Sequence, residues 1–232
     1  MITASTVSDY QEAFLRLFYP SYCGLCGTFL EIHEKHLCRT CLDQVASRRH
    51  LQEETLLTKR YPPLKEAWAL YPYEGPIRDI LKAVKFQKKR WLLHVFNEAI
   101  DEWCQSVLGE TSYDCLIPIP LSRKRNLERE FNQAEIIAGK ISRITGIPVV
   151  RNLLAKKFSS HPQSDLGREE RLANVWNSFK MTAKRKYPAK SVLLVDDILT
   201  TGATAQEAAE CLQAEGIRHI GFLALAHTEM ES

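Results

Sequence analysis

SVLLVDDILTTGAT, residues 191–204, sets an apolar run, an acidic pair and a hydroxyl-rich turn in immediate succession. Val192, Leu193, Leu194 and Val195 form an unbroken apolar run, the pattern of a strand buried on both faces of a parallel sheet. It runs straight into Asp196 and Asp197, two carboxylates that a buried strand does not hold without ligands. Thr200, Thr201, Gly202, Ala203 and Thr204 follow, and Ala205, Ala208, Ala209 and Leu212 then recur at helical spacing. Strand, acidic pair, hydroxyl–glycine turn and helix place unpaired backbone N–H groups and hydroxyls at a helix N-terminus, where phosphate binds. The acids beside them suit sugar hydroxyls or a magnesium ion, both of which take hard oxygen ligands.

Two better-known phosphate sites are excluded. No Gly-Lys pair follows Gly202, as a nucleotide P-loop requires, and one glycine does not make a dinucleotide fingerprint. The bland alternative is a solvated turn with two surface acids, against which the hydrophobic strand in front speaks. The segment resembles the phosphoribosyl pyrophosphate (PRPP) signature of type I phosphoribosyltransferases. That resemblance implies that Asp196 and Asp197 contact the ribose hydroxyls, with Thr200, Thr201, Gly202, Ala203 and Thr204 around the 5′-phosphate.

A chain of 232 residues, 45% hydrophobic and 25% charged, has room for one full domain plus a small module. Its net charge of +3 permits a polyanionic partner without demanding one. No signal-peptide pattern opens the chain and no stretch approaches a membrane span, so a cytoplasmic location is expected. Seven cysteines, an odd number, argue against a disulfide framework in a reducing compartment.

From the N-terminus, Ser8 and Gln11 have capping-box spacing ahead of Tyr10, Phe14, Leu17 and Phe18. This predicts a short amphipathic helix that docks onto the next module, with a peripheral membrane helix as the alternative. That module is Cys23-Gly-Leu-Cys26, eleven residues, then Cys38-Arg-Thr-Cys41. Two CxxC knuckles present four thiolates to one tetrahedral ion, the ligand set of structural zinc, with no open position for catalysis. His33 and His36 lie between the pairs; either could replace a cysteine, although exposure to solvent is the commoner fate. Cys104, Cys115 and Cys211 read as core residues. Pro62-Pro63 marks a boundary between residues 1–63 (N-terminal helix, four-cysteine zinc module and connector) and residues 64–232 (the α/β domain).

In the second unit, Ala67–Tyr73 reads as a strand, and Ile77, Ile80, Leu81 and Val84 as a helix with Pro76 in its first turn. Lys85, Lys88, Lys89 and Arg90 form a basic run flanked by Phe86 and Trp91, a solvated face or a nucleic-acid surface. Leu92, Val95, Phe96, Ala99, Trp103 and Val107 predict one further helix ending at Gly109. Tyr113–Pro120 is a strand whose two prolines place its exit at the sheet edge. Arg123, Lys124, Arg125 and Arg129 follow, ahead of a helix capped by Asn132 with Glu135. Such a basic loop lies where α/β folds bind anions.

Paired CxxC motifs, Pro118-Ile-Pro120 and Arg129-Glu130-Phe131-Asn132-Gln133 together resemble the ComF family of bacterial competence-related proteins. The family's glycine is replaced here by Glu130, a departure that matters if the position requires positive φ or close backbone approach to phosphate. Gln163, Arg171, Asn174 and Phe179 match the family's later positions, in a region that in type I phosphoribosyltransferases includes a mobile loop closing over pyrophosphate. His161 there reads as an exposed loop residue. Gly146–Val150 predicts another strand, Gly216 the C-cap of the helix after the PRPP turn, and His219–His227 the last strand.

The expectation is an α/β fold of the type I phosphoribosyltransferase kind, a mostly parallel sheet with flanking helices, plus the zinc module. Two functions stand. In the first, favoured by the family's competence role, a PRPP- or phosphate-binding protein handles single-stranded DNA during uptake, with competence-machinery proteins as partners. Its phosphate or DNA loop would comprise Arg123, Lys124, Arg125, Arg129, Asn132, Gln133, Gln163 and Arg171. In the second, an active phosphoribosyltransferase uses magnesium-chelated PRPP and an unknown acceptor, with Asp196 and Asp197 catalytic.

Overall fold

The computed structural model describes residues 18, 20–49, 52–53, 58–59, 62–108, 113–122, 130–157, 179–182 and 188–228. Apart from Phe18, the amphipathic N-terminal segment therefore lies outside the described residues, as do Arg123, Lys124, Arg125, Arg129, His161, Gln163, Arg171 and Asn174.

Along the chain come α1 (Arg39–Ala46), β1 (Gln52–Glu53), β2 (Glu66–Pro72), α2 (Gly75–Phe86), a 3-10 helix (Arg90–Phe96) and α3 (Asn97–Ser106). Then follow β3 (Cys115–Pro118), α4 (Gln133–Thr145), β4 (Leu154–Lys156), β5 (Phe179–Met181), β6 (Ser191–Leu199), α5 (Ala203–Ala214) and β7 (His219–His227). Five strands form one sheet in the order β1-β2-β7-β6-β3, while β4 and β5 make a separate antiparallel pair. β2, β7, β6 and β3 run parallel, and β1 alone is antiparallel.

Strand periodicity divides the core into two. Leu193, Val195, Leu223, Leu225 and Leu116 point into one cluster, filled from α2, the 3-10 helix, α3 and α4. The intervening Val192, Leu194, Phe222, Ala224, Cys115 and Ile117 point into the other, filled from Ala205, Ala208, Ala209 and Leu212 of α5. A sheet covered on both faces needs continuous apolar strands, and that is why β6 and β7 lack a polar alternation. The first cluster also takes in Cys23, Leu30, Leu37, Cys41 and Val45, so the cysteine module rests on the same core as the sheet. Arg49, just beyond α1, reinforces this by donating to Glu98 at 2.6 Å and to Glu102 at 2.8 Å on α3.

Two sequence expectations are corrected. The single helix through Val107 is a 3-10 segment followed by α3, with Gly109 outside the described residues. Apolar spacing of three, as in Leu93, Phe96 and Ala99, fits either geometry. Gly146–Val150 is no strand: Gly146 takes φ 76 as the C-cap of α4, and only Val149 bridges, in parallel, to Leu116.

At the amino edge, the Tyr113 hydroxyl donates to Glu66 Oε2 at 2.8 Å, tying the approach to β3 to the start of β2. Gly221 leaves the room, since a Cβ there would land on the Tyr113 hydroxyl. Gly221→Ala should cost about 1–3 kcal/mol in urea denaturation, the usual penalty of overpacking. Gly139→Ala, on α4 with nothing within 4 Å of an added Cβ, should instead stabilise by about 0.5–1 kcal/mol.

Candidate phosphate-binding site and cysteine cluster

The carboxyl ends of four parallel strands form one edge. Ile119, just past β3, donates its N–H to the Val195 carbonyl at 2.8 Å, which sets the end of β3 beside Asp196. Across β7, Thr228 donates to the Leu199 carbonyl at 2.9 Å and Tyr73 to the His227 carbonyl at 2.6 Å. Asn132 then fastens α4 to this edge. Its Nδ2 donates to the Ile119 carbonyl at 3.0 Å while its Oδ1 accepts from the Ala134 N–H at 3.0 Å. The side chain is thus an N-cap and a strand-end clasp, and Gln133 beside it is buried.

β6 does not stop at the acids; it continues through them to Leu199. Adjacent strand positions face opposite ways, so Asp196 follows the Leu194 face and Asp197 the Val195 face. The Asp197 N–H donates to Asp196 Oδ1 at 2.8 Å. Burial, and next the Asp197 charge, push the Asp196 carboxyl well above the usual carboxylate range, while the Lys156 ammonium pulls the other way. On the other face, burial and the charge of Asp197 raise the Tyr73 phenol. Tyr73 and Lys156 are thus neighbours of the site that motif reading did not select. The signal for Tyr73 was its place at a parallel strand's carboxyl end; Lys156 carries no local signal.

After β6 the chain turns through exposed Thr200 and Thr201 into buried Gly202, whose φ is 81. Only glycine takes that conformation at little cost, and it swings the backbone into α5. The first bond within α5 runs from the Gln206 N–H to the Gly202 carbonyl at 2.9 Å, so the N–H groups of Ala203, Thr204 and Ala205 precede it. Thr201 Oγ1 lies 3.4 Å from the Ala203 nitrogen. The structure therefore brings Asp196, Asp197 and Thr200 to Thr204 to one strand end, with Asn132 as the neighbouring clasp.

Glu130 has φ 66, so this position does require the left-handed region, and a glutamate there costs about 1–2 kcal/mol relative to glycine. Its carboxylate pairs with Lys88, which has φ 56. In the basic run, Lys85 Nζ sits 5.1 Å from the centre of the exposed Phe86 ring.

The four cysteines lie at the other functional feature. A hairpin bridged at Tyr22 and Phe29 carries Cys23 and Cys26; Cys38 caps α1 and Cys41 lies in its first turn. All four Sγ atoms fall within 4.8 Å of one another, and Cys26 and Cys38 are 3.6 Å apart. Tetrahedral bonds of about 2.3 Å to zinc require sulfurs about 3.8 Å apart, so the set fits a metal ion. Hydrogen bonds with Thr28 lower Cys26 to about 6, whereas burial and the neighbouring sulfurs raise Cys41. Four thiolates cannot coexist at this spacing without a cation. The histidines stay out: His33 is exposed, and His36, contrary to the expected solvent exposure, is half-buried, its ring 5.4 Å from Trp91 and 5.5 Å from His94.

Comparison with known proteins agrees with this geometry. Residues 132–230 match the phosphoribosyl transferase domain family. The chain is 28% identical over 213 residues to competence protein F of Haemophilus influenzae, covering 88% of this chain and 84% of that protein. It is 28% identical over 194 residues to competence protein ComFC of Bacillus subtilis, covering 84% and 72% respectively. To the DNA utilization protein YhgH of Escherichia coli K12 it is 23% identical over 217 residues, covering 92% and 93%. Sheet, strand-end turn and match define a phosphoribosyltransferase-type α/β domain preceded by a four-cysteine module. Within that class the chain is similar over most of its length to the two competence proteins and the DNA utilization protein. Among the described residues no helix is long and apolar enough to cross a membrane.

The raised Asp196 carboxyl has a measurable consequence. A carboxyl that holds its proton more tightly when folded favours the folded state at pH below its ordinary value, about 3.9, and loses that contribution as pH rises through the folded value. Asp196→Asn should therefore raise the Tm at pH 7–8, with the gain vanishing toward pH 4 in calorimetric scans.

Proposed function

We propose that this protein binds PRPP or a related phosphorylated ligand at the carboxyl end of β6 and serves the handling of single-stranded DNA during DNA uptake. The observation that carries the reading is Gly202 at φ 81, which opens α5 one short turn beyond the strand that bears the two carboxylates. The N–H groups of the α5 N-terminus and the hydroxyls of Thr200, Thr201 and Thr204 would hold a phosphate. Asp196 and Asp197 would meet sugar hydroxyls and magnesium arriving with PRPP. Names of the relatives, two competence proteins and a DNA utilization protein, support the nucleic-acid role. Basic residues Arg123, Lys124, Arg125 and Arg129, with Gln163 and Arg171, are proposed to contact phosphates of PRPP or of a DNA backbone. Competence-machinery proteins are the proposed protein partners.

The phosphoribosyl transferase match favours a second reading, catalysis. An acceptor would bond to C1 of the ribose as the C1–oxygen bond to pyrophosphate breaks, and the carboxylates would stabilise the positive charge developing on the sugar. Pyrophosphate release measured across a panel of nucleobases and DNA ends separates the two: release with any acceptor establishes transfer, and its absence beside retained PRPP binding leaves the binding role.

Titration calorimetry with magnesium and PRPP should show binding that falls at least tenfold in the Asp196→Asn/Asp197→Asn variant and in Gly202→Val. Equal affinity in all three proteins defeats the site. In fluorescence anisotropy, single-stranded DNA should bind with log affinity falling against log salt by about 0.7 per phosphate contact. Arg123→Glu/Arg125→Glu should weaken every sequence alike and flatten that slope.

The metal of the cysteine cluster is proposed to be zinc in a structural role. Elemental analysis should find one zinc per chain, and chelation should unfold the module, since comparable small sites draw about 10–16 kcal/mol from metal binding. Zinc-free protein whose N-terminal region still resists protease contradicts the assignment.

A further inference from the structure

Among the described residues, Lys88 and Glu130 are the only non-glycines with positive φ, and they are ion-paired to each other across 42 positions of sequence. Lys88 follows Gln87, the C-cap of α2, at the position where a left-handed residue ends a helix and glycine is the common choice. Its carbonyl accepts from the Arg90 N–H at 2.8 Å, closing a tight turn into the 3-10 helix. Glu130 lies two residues before Asn132, whose side chain holds the Ile119 carbonyl at the end of β3. One non-glycine in this conformation is ordinary. Two, facing each other from separate segments, each disfavoured by its side chain, need a reason.

The pair's own stability does not supply it. Both side chains are well exposed, 49% for Lys88 and 66% for Glu130, and an exposed ion pair contributes little net free energy. What the pair does is hold a cation against the segment that enters α4, with its charge already answered. An incoming phosphate offers Lys88 a competing oxygen ligand, and the lysine cannot serve both anions in one geometry. Half-buried Lys89 and exposed Arg90 adjoin Lys88, so an anion arriving there meets further positive charge.

From this arrangement we infer that the Lys88–Glu130 pair is an anion-displaced latch, in which a phosphate-bearing ligand takes Lys88 from Glu130 and frees the segment entering α4. The inference rests on the phosphate-binding reading above and deepens it by naming a cation of that site and the group that restrains it. The shared ligand chemistry is the phosphoryl oxygen, whether from pyrophosphate or from a DNA backbone.

The test measures magnesium pyrophosphate by calorimetry and a 5′-phosphorylated oligothymidylate by anisotropy, on wild type, Glu130→Gln, Lys88→Ala and the double variant. Glu130→Gln should tighten binding about two- to fivefold, the range that an exposed ion pair is worth. Lys88→Ala should weaken binding and reduce the oligonucleotide salt slope by about 0.7. Adding Glu130→Gln to Lys88→Ala should then change nothing, because the carboxylate acts only through the lysine. A response confined to pyrophosphate assigns the latch to the small ligand; one confined to the oligonucleotide assigns it to the nucleic-acid backbone. Equal tightening by Glu130→Gln with and without Lys88 means general repulsion and overturns the latch. So does wild-type binding that neither single variant alters, with the phosphate site left standing. Absence of binding to either probe in wild type and variants alike removes the phosphate-binding reading and the latch together.

Discussion

The side chain of Asn132 joins two things that backbone bonds alone leave separate. One end caps α4, and the other grips the Ile119 carbonyl where β3 leaves the sheet. Ile119 is in turn bonded to Val195, the residue before the acidic pair. A buried amide with both ends satisfied fixes orientation more firmly than apolar packing does, because any shift leaves a polar group without a partner. The strand-end edge depends on this clasp: helix, edge strand and central strand are held in one register.

The sheet's two-sided packing then gives the adjacent acids different surroundings. Asp196 looks toward the α5 side and the charge of Lys156; Asp197 acts on Tyr73 on the other face. A pair that reads in sequence as one acidic patch is thus divided by strand pleating into two environments. Ligands that bridge both must lie across the strand end rather than against either face. The sugar phosphate proposed as ligand, with hydroxyls on one edge and a phosphate at the Gly202 turn, would have that shape.

Much of this was legible in the sequence because it depends on local chemistry. The apolar run of β6 and the helix spacing of α5 announce themselves, as do the prolines that place β3 at an edge and the capping asparagine. Two CxxC knuckles likewise foretell a converging sulfur cluster. What escaped is set by residues distant in sequence. Nothing local tells that His36 stacks on His94 and lies tilted against Trp91 rather than facing solvent. Nor does anything local show that β6 carries its carboxylates inside the strand, since strand extension here depends on β7 supplying partners through His227. The left-handed backbone at Glu130 was suggested only by the family resemblance, whose motif has glycine at that place.

Gly24 lies within the first cysteine knuckle, and any Cβ there would come within 2.6 Å of Trp91 and Leu92. The knuckle is therefore keyed to one surface of its own host. In evolutionary terms such a module is not portable: it cannot be shuffled between unrelated domains like a beaded zinc finger. Its glycine and the tryptophan–leucine surface beneath it have to be inherited as a unit, and lineages that lose the cysteines are expected to remodel the 3-10 segment as well.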